Sequence, residues 1–213
     1  MAVPHRVPAA RARCFVREDD APAKQKILTE ALRLFVRDGL CETSIRDIAA
    51  ATGYTNPALF KHFPGKASLA LHLFEHCYVH LFEALDRAAA VDGSFAVRQR
   101  AVMTAYLELL DADRDALLYV QDNVRQFWPR MPEHVRRSSI VALIRRLLQR
   151  GRSAGEVTGT VPLELLVAGW MGVLQQFARL WFFGEFKGPA VQHAAHLEAL
   201  LTRMTRTDER RRS

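Results

Sequence analysis

The sequence predicts an all-α fold. From Lys24 onward apolar residues recur at helical spacing, beginning with Ile27, Ala31, Leu34 and Phe35. No stretch alternates with the period of two that marks a half-buried strand. Glycine and proline fall between the periodic stretches, at Gly39, Pro64-Gly65, Gly93, Pro129, Pro132, Pro162 and Gly188-Pro189. Nine helices are expected on these grounds.

Taken in order, the first helix starts near Lys24 and stops at Asp38-Gly39, a glycine placed as a C-terminal cap. Ser44-Ile45-Arg46-Asp47 is a capping box that opens a short helix over 45–51. Thr52-Gly53-Tyr54 is a tight turn, and Thr55 or Asn56 caps the next short helix, with Pro57 in its first turn and an end near Phe63. A long helix follows over 66–90. Five more are expected over 95–111, 114–127, 133–151, 162–183 and 189–205. Residues 1–23 show no period and are expected to be a disordered basic leader; 206–213 form a basic tail.

The chain has 213 residues, enough to bury a core without disulfides. Residues 1–66 hold 11 Lys/Arg against 7 Asp/Glu, 67–202 hold 14 of each, and 203–213 hold 5 against 2. The basic excess at the ends of a neutral middle suits a chain with one anion-binding end. Cys14, Cys41 and Cys77 form no C-x-x-C pair, which excludes a disulfide framework and fits a reducing cytoplasm. The first 25 residues lack the apolar run of a signal peptide. Over 161–183 the uninterrupted apolar run is only Leu165–Leu174, too short to span a bilayer core of about 30 Å. Catalysis is not expected: there is no G-x-S-x-G and no P-loop, and Ser138-Ser139 has no histidine and acid at a readable spacing. No cofactor is expected.

Two short helices joined by a glycine-containing turn over 45–63 read as a helix-turn-helix. Ala49 is small enough for the helices to cross, Gly53 permits positive φ in the turn, and Ile48 and Leu59 face inward. The second helix then presents Thr55, Asn56, Ala58, Lys61 and His62, short or cationic groups that suit a major groove about 12 Å wide.

Over residues 24–74 the chain resembles the N-terminal domain of TetR-type transcriptional regulators. Ala31, Phe35, Gly39, Thr43-Ser44-Ile45-Arg46-Asp47-Ile48-Ala49, Gly53, and Leu59-Phe60-Lys61-His62-Phe63 followed by Lys66 carry the likeness. The resemblance implies a three-helix DNA-binding domain over 24–66. It also implies a helical bundle for ligand binding and dimerisation over 67–205, a homodimer, a double-stranded DNA operator and a small-molecule effector. It assigns Thr43, Thr55 and Lys66 to the DNA backbone. Arg46, Asn56, Ala58 and Lys61 are assigned to base edges or nearby phosphates, and His62 to a phosphate or to packing. Phe60 stands where a tyrosine is usual, and Pro57 removes an N–H from the recognition helix.

The middle of the chain carries all three tryptophans. Met103, Tyr106, Asn123, Phe127, Trp128, Trp170, Gln175, Phe177 and Trp181 are expected to include the lining of an effector pocket, because such pockets are mainly apolar with a few polar groups. Residues 125–152 hold eight arginines and one glutamate. They form either a solvated basic face or, through Arg125, Arg130 or Arg137, the clamp for an anionic ligand head. Ala168, Gly169 and Gly172, together with the 189–205 helix, suggest a four-helix dimer interface near 162–183 and 189–205. His72, His76 and His80 fall opposite the apolar stripe of the long helix and are expected to be solvated rather than to bind a metal. The leader is read either as a disordered tail or as a minor-groove arm.

Overall fold

The structure, a computed structural model, describes residues 15–16, 19–137 and 139–206. Most of the 1–23 leader and the Arg210–Arg212 tail lie outside the described residues. The described residues fold into ten α-helices, with no strand. They are α1 (Pro22–Asp38), α2 (Ile45–Thr52), α3 (Asn56–Phe60), α4 (Lys66–Ala89), α5 (Phe95–Ala112), α6 (Arg114–Phe127), α7 (Glu133–Arg137), α8 (Ile140–Ser153), α9 (Leu163–Phe182) and α10 (Ala194–Thr205). Short 3-10 turns occupy Trp128–Arg130 and Ala190–His193.

The first three helices form a head on the N-terminal end of α4. The rest of α4 packs along α5, α6 and α8, while α9 and α10 close the other side of α5 and α8. The apolar stripe read from the sequence of α4 is buried: Leu73, Phe74, Cys77, Leu81 and Leu85 all face the bundle. Around it Phe74, Tyr78, Tyr119, Phe127 and Trp128 form an aromatic layer, with ring centroids 4.9–6.5 Å apart. Tyr119 also stacks on Phe35 of α1 at 5.9 Å, and its hydroxyl donates to the Ala70 carbonyl of α4 at 2.9 Å. One ring on α6 therefore touches both the head and the helix that carries it.

Three readings of the sequence change. The helix expected over 133–151 is two, α7 and α8. Ser139 accepts from the Ala142 N–H, and the Tyr78 hydroxyl accepts from the Ile140 N–H at 3.0 Å, so a fresh N-terminus is satisfied there. The helix expected over 189–205 begins instead as a turn, because the Asp111 carboxylate accepts the N–H groups of Ala190 and Val191, at 2.5 and 3.0 Å. The leader is not wholly detached: Phe15 is buried, and α1 already starts at Pro22. A large apolar side chain seats itself in the core without any local period to announce it.

Close approach of α8 to α5 depends on Gly151. A Cβ there would stand 2.6 Å from Val157 and 2.7 Å from Phe95. At the outer edge α10 is tied to α5 by Arg100, whose guanidinium donates to both Glu198 oxygens. Among the described residues no helix is long and apolar enough to cross a membrane.

Candidate nucleic-acid interface

The head is assembled by local rules. The Ser44 hydroxyl accepts from the Asp47 N–H at 3.2 Å, and the Asp47 carboxylate accepts from the Ser44 N–H at 2.7 Å. Those two bonds start α2. The side-chain bond to the Ser44 hydroxyl, and then the bond to its N–H, hold the Asp47 carboxyl below the usual carboxylate range. α2 ends on Gly53 in the left-handed region, φ 73°, and the Tyr54 N–H returns to the Ala49 carbonyl at 3.2 Å. The Thr52 hydroxyl, buried, donates to the carbonyls of Ile48 and Ala49 at 2.9 and 3.0 Å. Ile48, Ala49 and Leu59 close the inner side.

α3 is shorter than the sequence predicts. It ends at Phe60, and Lys61 and His62 continue as turns closed by His62 and Phe63 N–H bonds to the Leu59 carbonyl, both 3.0 Å. Thr55 is its N-cap residue but makes no side-chain cap bond, so its hydroxyl is not used in starting the helix. On the outside of the head lie Arg46, Thr55, Lys61 and Phe60, the last 50 % exposed. Asn56, Ala58 and His62 are half-buried beside them.

Two residues expected on the DNA backbone are occupied inside the chain. Thr43 is buried, and its hydroxyl donates to the Gly39 carbonyl at 2.9 Å. The Lys66 ammonium donates to the carbonyls of Leu40, Cys41 and Thr43 at 3.0, 3.1 and 2.8 Å, which uses all three of its protons. Both tie the α1–α2 turn in place. Sequence reasoning missed Lys26, whose ammonium lies 5.5 Å from the centroid of the Tyr54 ring, beside the turn between α2 and α3. Its signal was a lysine on α1 next to the inward-facing Ile27.

Residues 27–73 match the family described as bacterial regulatory proteins, tetR family. The likeness to that family lies in this N-terminal segment. The chain is 31% identical over 111 residues to the HTH-type transcriptional repressor KstR2 of Rhodococcus jostii (strain RHA1), which covers 50% of this chain and 54% of that one. It is 37% identical over 59 residues to the HTH-type transcriptional regulator AcrR of Shigella flexneri, 28% of this chain and 27% of that one. The matches thus span about half and about a quarter of those relatives. The fold is shared much further. The structure of the ketosteroid transcriptional regulator KstR2 of Mycobacterium tuberculosis superposes with a TM-score of 0.78 at 18% identity, over 92% of this chain and 100% of that one. The FadR regulator of Bacillus subtilis, solved with stearoyl-CoA, gives 0.64 at 16% identity, over 84% and 97%.

In the body of the chain, the residues expected to line an effector pocket are not gathered around either of its two clefts. Met103 and Phe127 are 0 % and 1 % exposed, and Tyr106, Trp170 and Phe177 are also buried. The Tyr106 hydroxyl donates to the Leu174 carbonyl at 3.3 Å and accepts from the Gln121 amide; burial raises its pKa far above an ordinary phenol. The Trp170 indole donates to Gln99, which is itself buried and donates on to the Thr202 hydroxyl at 3.4 Å. Asn123 donates to the Tyr119 carbonyl. Trp128 lies against Tyr78, and Trp181 donates to the Gly188 carbonyl at 2.9 Å. Gln175 is exposed. Tyr106 and Trp170 can be core because their polar atoms find partners within the chain, which residue type alone could not reveal.

Two clefts lie elsewhere. One of about 220 Å³ runs between α4 and α8, and one of about 120 Å³ lies between the head and the end of α6. Of the nine expected residues, Phe127 alone lines either of them. Arg125, Arg130 and Arg137 are exposed; Arg130 lines the smaller cleft, and Arg137 pairs with Glu133 at 2.6 Å. The α4 histidines are half-buried, not solvated. The Phe63 ring covers His72 at 5.3 Å, His76 stacks on His72 at 4.1 Å, and burial followed by the Arg87 charge lowers the pKa of His80. No group of three or more His, Cys, Asp or Glu that could hold a metal ion occurs among the described residues. Gly169 lets α10 approach α9 within the chain, since a Cβ there would stand 2.7 Å from the Met204 sulfur, whereas Gly172 faces open space.

Proposed function

We propose that the chain is a cytoplasmic, dimeric, DNA-binding transcriptional repressor that releases its operator when a small apolar or amphipathic effector binds. The observation that carries this reading is the head. Its inner face is packed with Ile48, Ala49 and Leu59, while Arg46, Thr55, Phe60 and Lys61 are all exposed. Two heads in a dimer would insert α3 into successive major grooves of a roughly palindromic site. The division at Lys66 into head and body is part of this proposal.

The dimer surface is proposed on α9 and α10. Leu165, Phe183 and Leu200 are 62 %, 70 % and 53 % exposed, an apolar face that a second copy would cover. The effector would act by binding best to a conformation with the heads wrongly spaced. A coupling on the order of 1–3 kcal/mol is enough to empty an operator at moderate occupancy. Tyr119 gives that signal a route, since it contacts α1 and α4 at once. KstR2 of Rhodococcus jostii is named a repressor, and the Bacillus subtilis FadR structure holds stearoyl-CoA; both names are consistent with this reading.

A second reading, in which the body serves dimerisation or protein docking without an effector, is favoured by the packed interior around Met103 and Trp170. Selection of binding sites from random duplex DNA by the purified protein tests the first half of the proposal. An enriched palindrome is expected, with log affinity falling steeply against log salt as phosphate-bound counterions are released. A folded protein that enriches nothing, or binds with a flat salt response, overturns it.

A further inference from the structure

We infer that the cleft between α4 and α8 binds an amphipathic anion, with a carboxylate-type head on Arg146 and Arg150 and an apolar body along α4. The floor is apolar: Leu143 and Leu147 of α8 meet Ala89 and Ala90 at the end of α4. The rim is cationic. Arg146 and Arg150 are one turn apart on α8 and so share a face. Arg146 meets only a loose partner, Asp86, at 3.8 Å, with both side chains about half exposed. Arg150 has no ion pair among the described residues. Two guanidiniums therefore face one carboxylate, leaving one positive charge in excess. An incoming carboxylate can take bidentate bonds from either fork.

α4 and α8 run in the same direction, with Tyr78 beside Ile140 and Asp86 beside Arg146, so Arg150 lies toward the Ala89–Ala90 end of the cleft. The head is held at the arginine rim, and the chain lies over the leucine and alanine methyls. The volume, about 220 Å³, holds roughly seven waters at ~30 Å³ each. That suits a short-chain or medium-chain acid, or the end of a longer one. Asp86 lies twenty residues beyond Lys66, roughly 30 Å along α4 at ~1.5 Å per residue, so this cationic pair is remote from the DNA-facing side of the head. A consequence for operator release rests on the effector reading above; binding itself does not.

The test is an NMR titration of the full chain with octanoate, observed on alanine and leucine methyls. The expected result is saturable shifts of Ala89, Ala90, Leu143 and Leu147. Affinity is expected to fall at least tenfold for 1-octanol, and at least tenfold for octanoate in Arg146→Gln/Arg150→Gln. The alcohol comparison on the unaltered chain keeps the inference testable even if the double variant folds poorly. Equal affinity for octanol, equal affinity in a folded double variant, inorganic phosphate binding as tightly as octanoate, or shifts confined to core methyls such as Leu107 and Leu166 would each overturn it. Saturable cleft shifts with no change in affinity for the selected operator would uphold the cleft and count against the effector reading at this site.

Discussion

The head and the body of this chain are both helical, yet they are held together by different kinds of contact. In the head, the decisive bonds are short in sequence: Ser44 with Asp47, Gly53 with Ala50, Tyr54 with Ala49. In the body they join residues far apart, such as Trp170 with Gln99, Arg100 with Glu198 and Tyr78 with Ile140. The contrast separates what a motif can specify from what only tertiary packing decides. The head can be drawn from its motif, and its outward side chains are those free of internal duties. In the body, large apolar side chains look like a pocket and turn out to be filling.

The strongest challenge to that contrast is Met103→Ala. If Met103 is core, the change costs about 3 kcal/mol of stability and thermal melting shows a clear fall in Tm. A near-neutral variant would mean that Met103 lines a cavity after all. Lys66→Gln should follow at about 1–2 kcal/mol, because three carbonyls lose a charged donor. Were Lys66 a phosphate contact instead, melting would not change and only DNA affinity would drop. Lys61→Ala should do the converse: Tm unchanged, operator affinity weaker by about tenfold, or ~1.4 kcal/mol, in a titration at fixed salt. Unchanged affinity would sink the position given to the recognition helix.

The smallest effect is a pH dependence of the cap. Asp47 has a folded-state pKa below its unfolded value of about 3.9. Its stabilising contribution is therefore present above that value and lost as the pH falls through the folded-state pKa. Melting curves of the native chain and Asp47→Asn should differ at pH 6 and converge in strong acid. A difference that stays constant from pH 6 into strong acid, where the carboxyl is protonated in both states, would remove the cap from the account.

The same contrast explains what was legible in the sequence. Ser44, Asp47, Gly53 and Leu59 announce themselves because their partners lie within a few residues and obey fixed spacings. The internal bonds of Lys66 are hidden for the opposite reason. The carbonyls that occupy Lys66 are 23 to 26 residues away, and nothing in residue type separates a lysine that meets phosphate from one that meets a turn. The break between α7 and α8 depends on the Tyr78 hydroxyl, 62 residues before Ile140. Phe15 sits in a stretch without period, so its burial left no pattern to read. The α4–α8 cleft was half visible: the arginine-rich run was evident, but the arginines that line the cleft are Arg146 and Arg150, not Arg125, Arg130 or Arg137.

The three bonds from Lys66 have a mechanical consequence. They weld the α1–α2 turn to the first residue of α4, so the head has no free swivel at that joint. α4 then behaves as a rigid arm of 24 residues, roughly 36 Å at ~1.5 Å per residue. Tilting such an arm by roughly 5° about its far end sweeps the head sideways by about 3 Å, on the scale of a single base-pair step of ~3.4 Å. Amplitude is gained by length alone. A displacement too small to disturb the packing beside Asp86 arrives at the other end as a change of register.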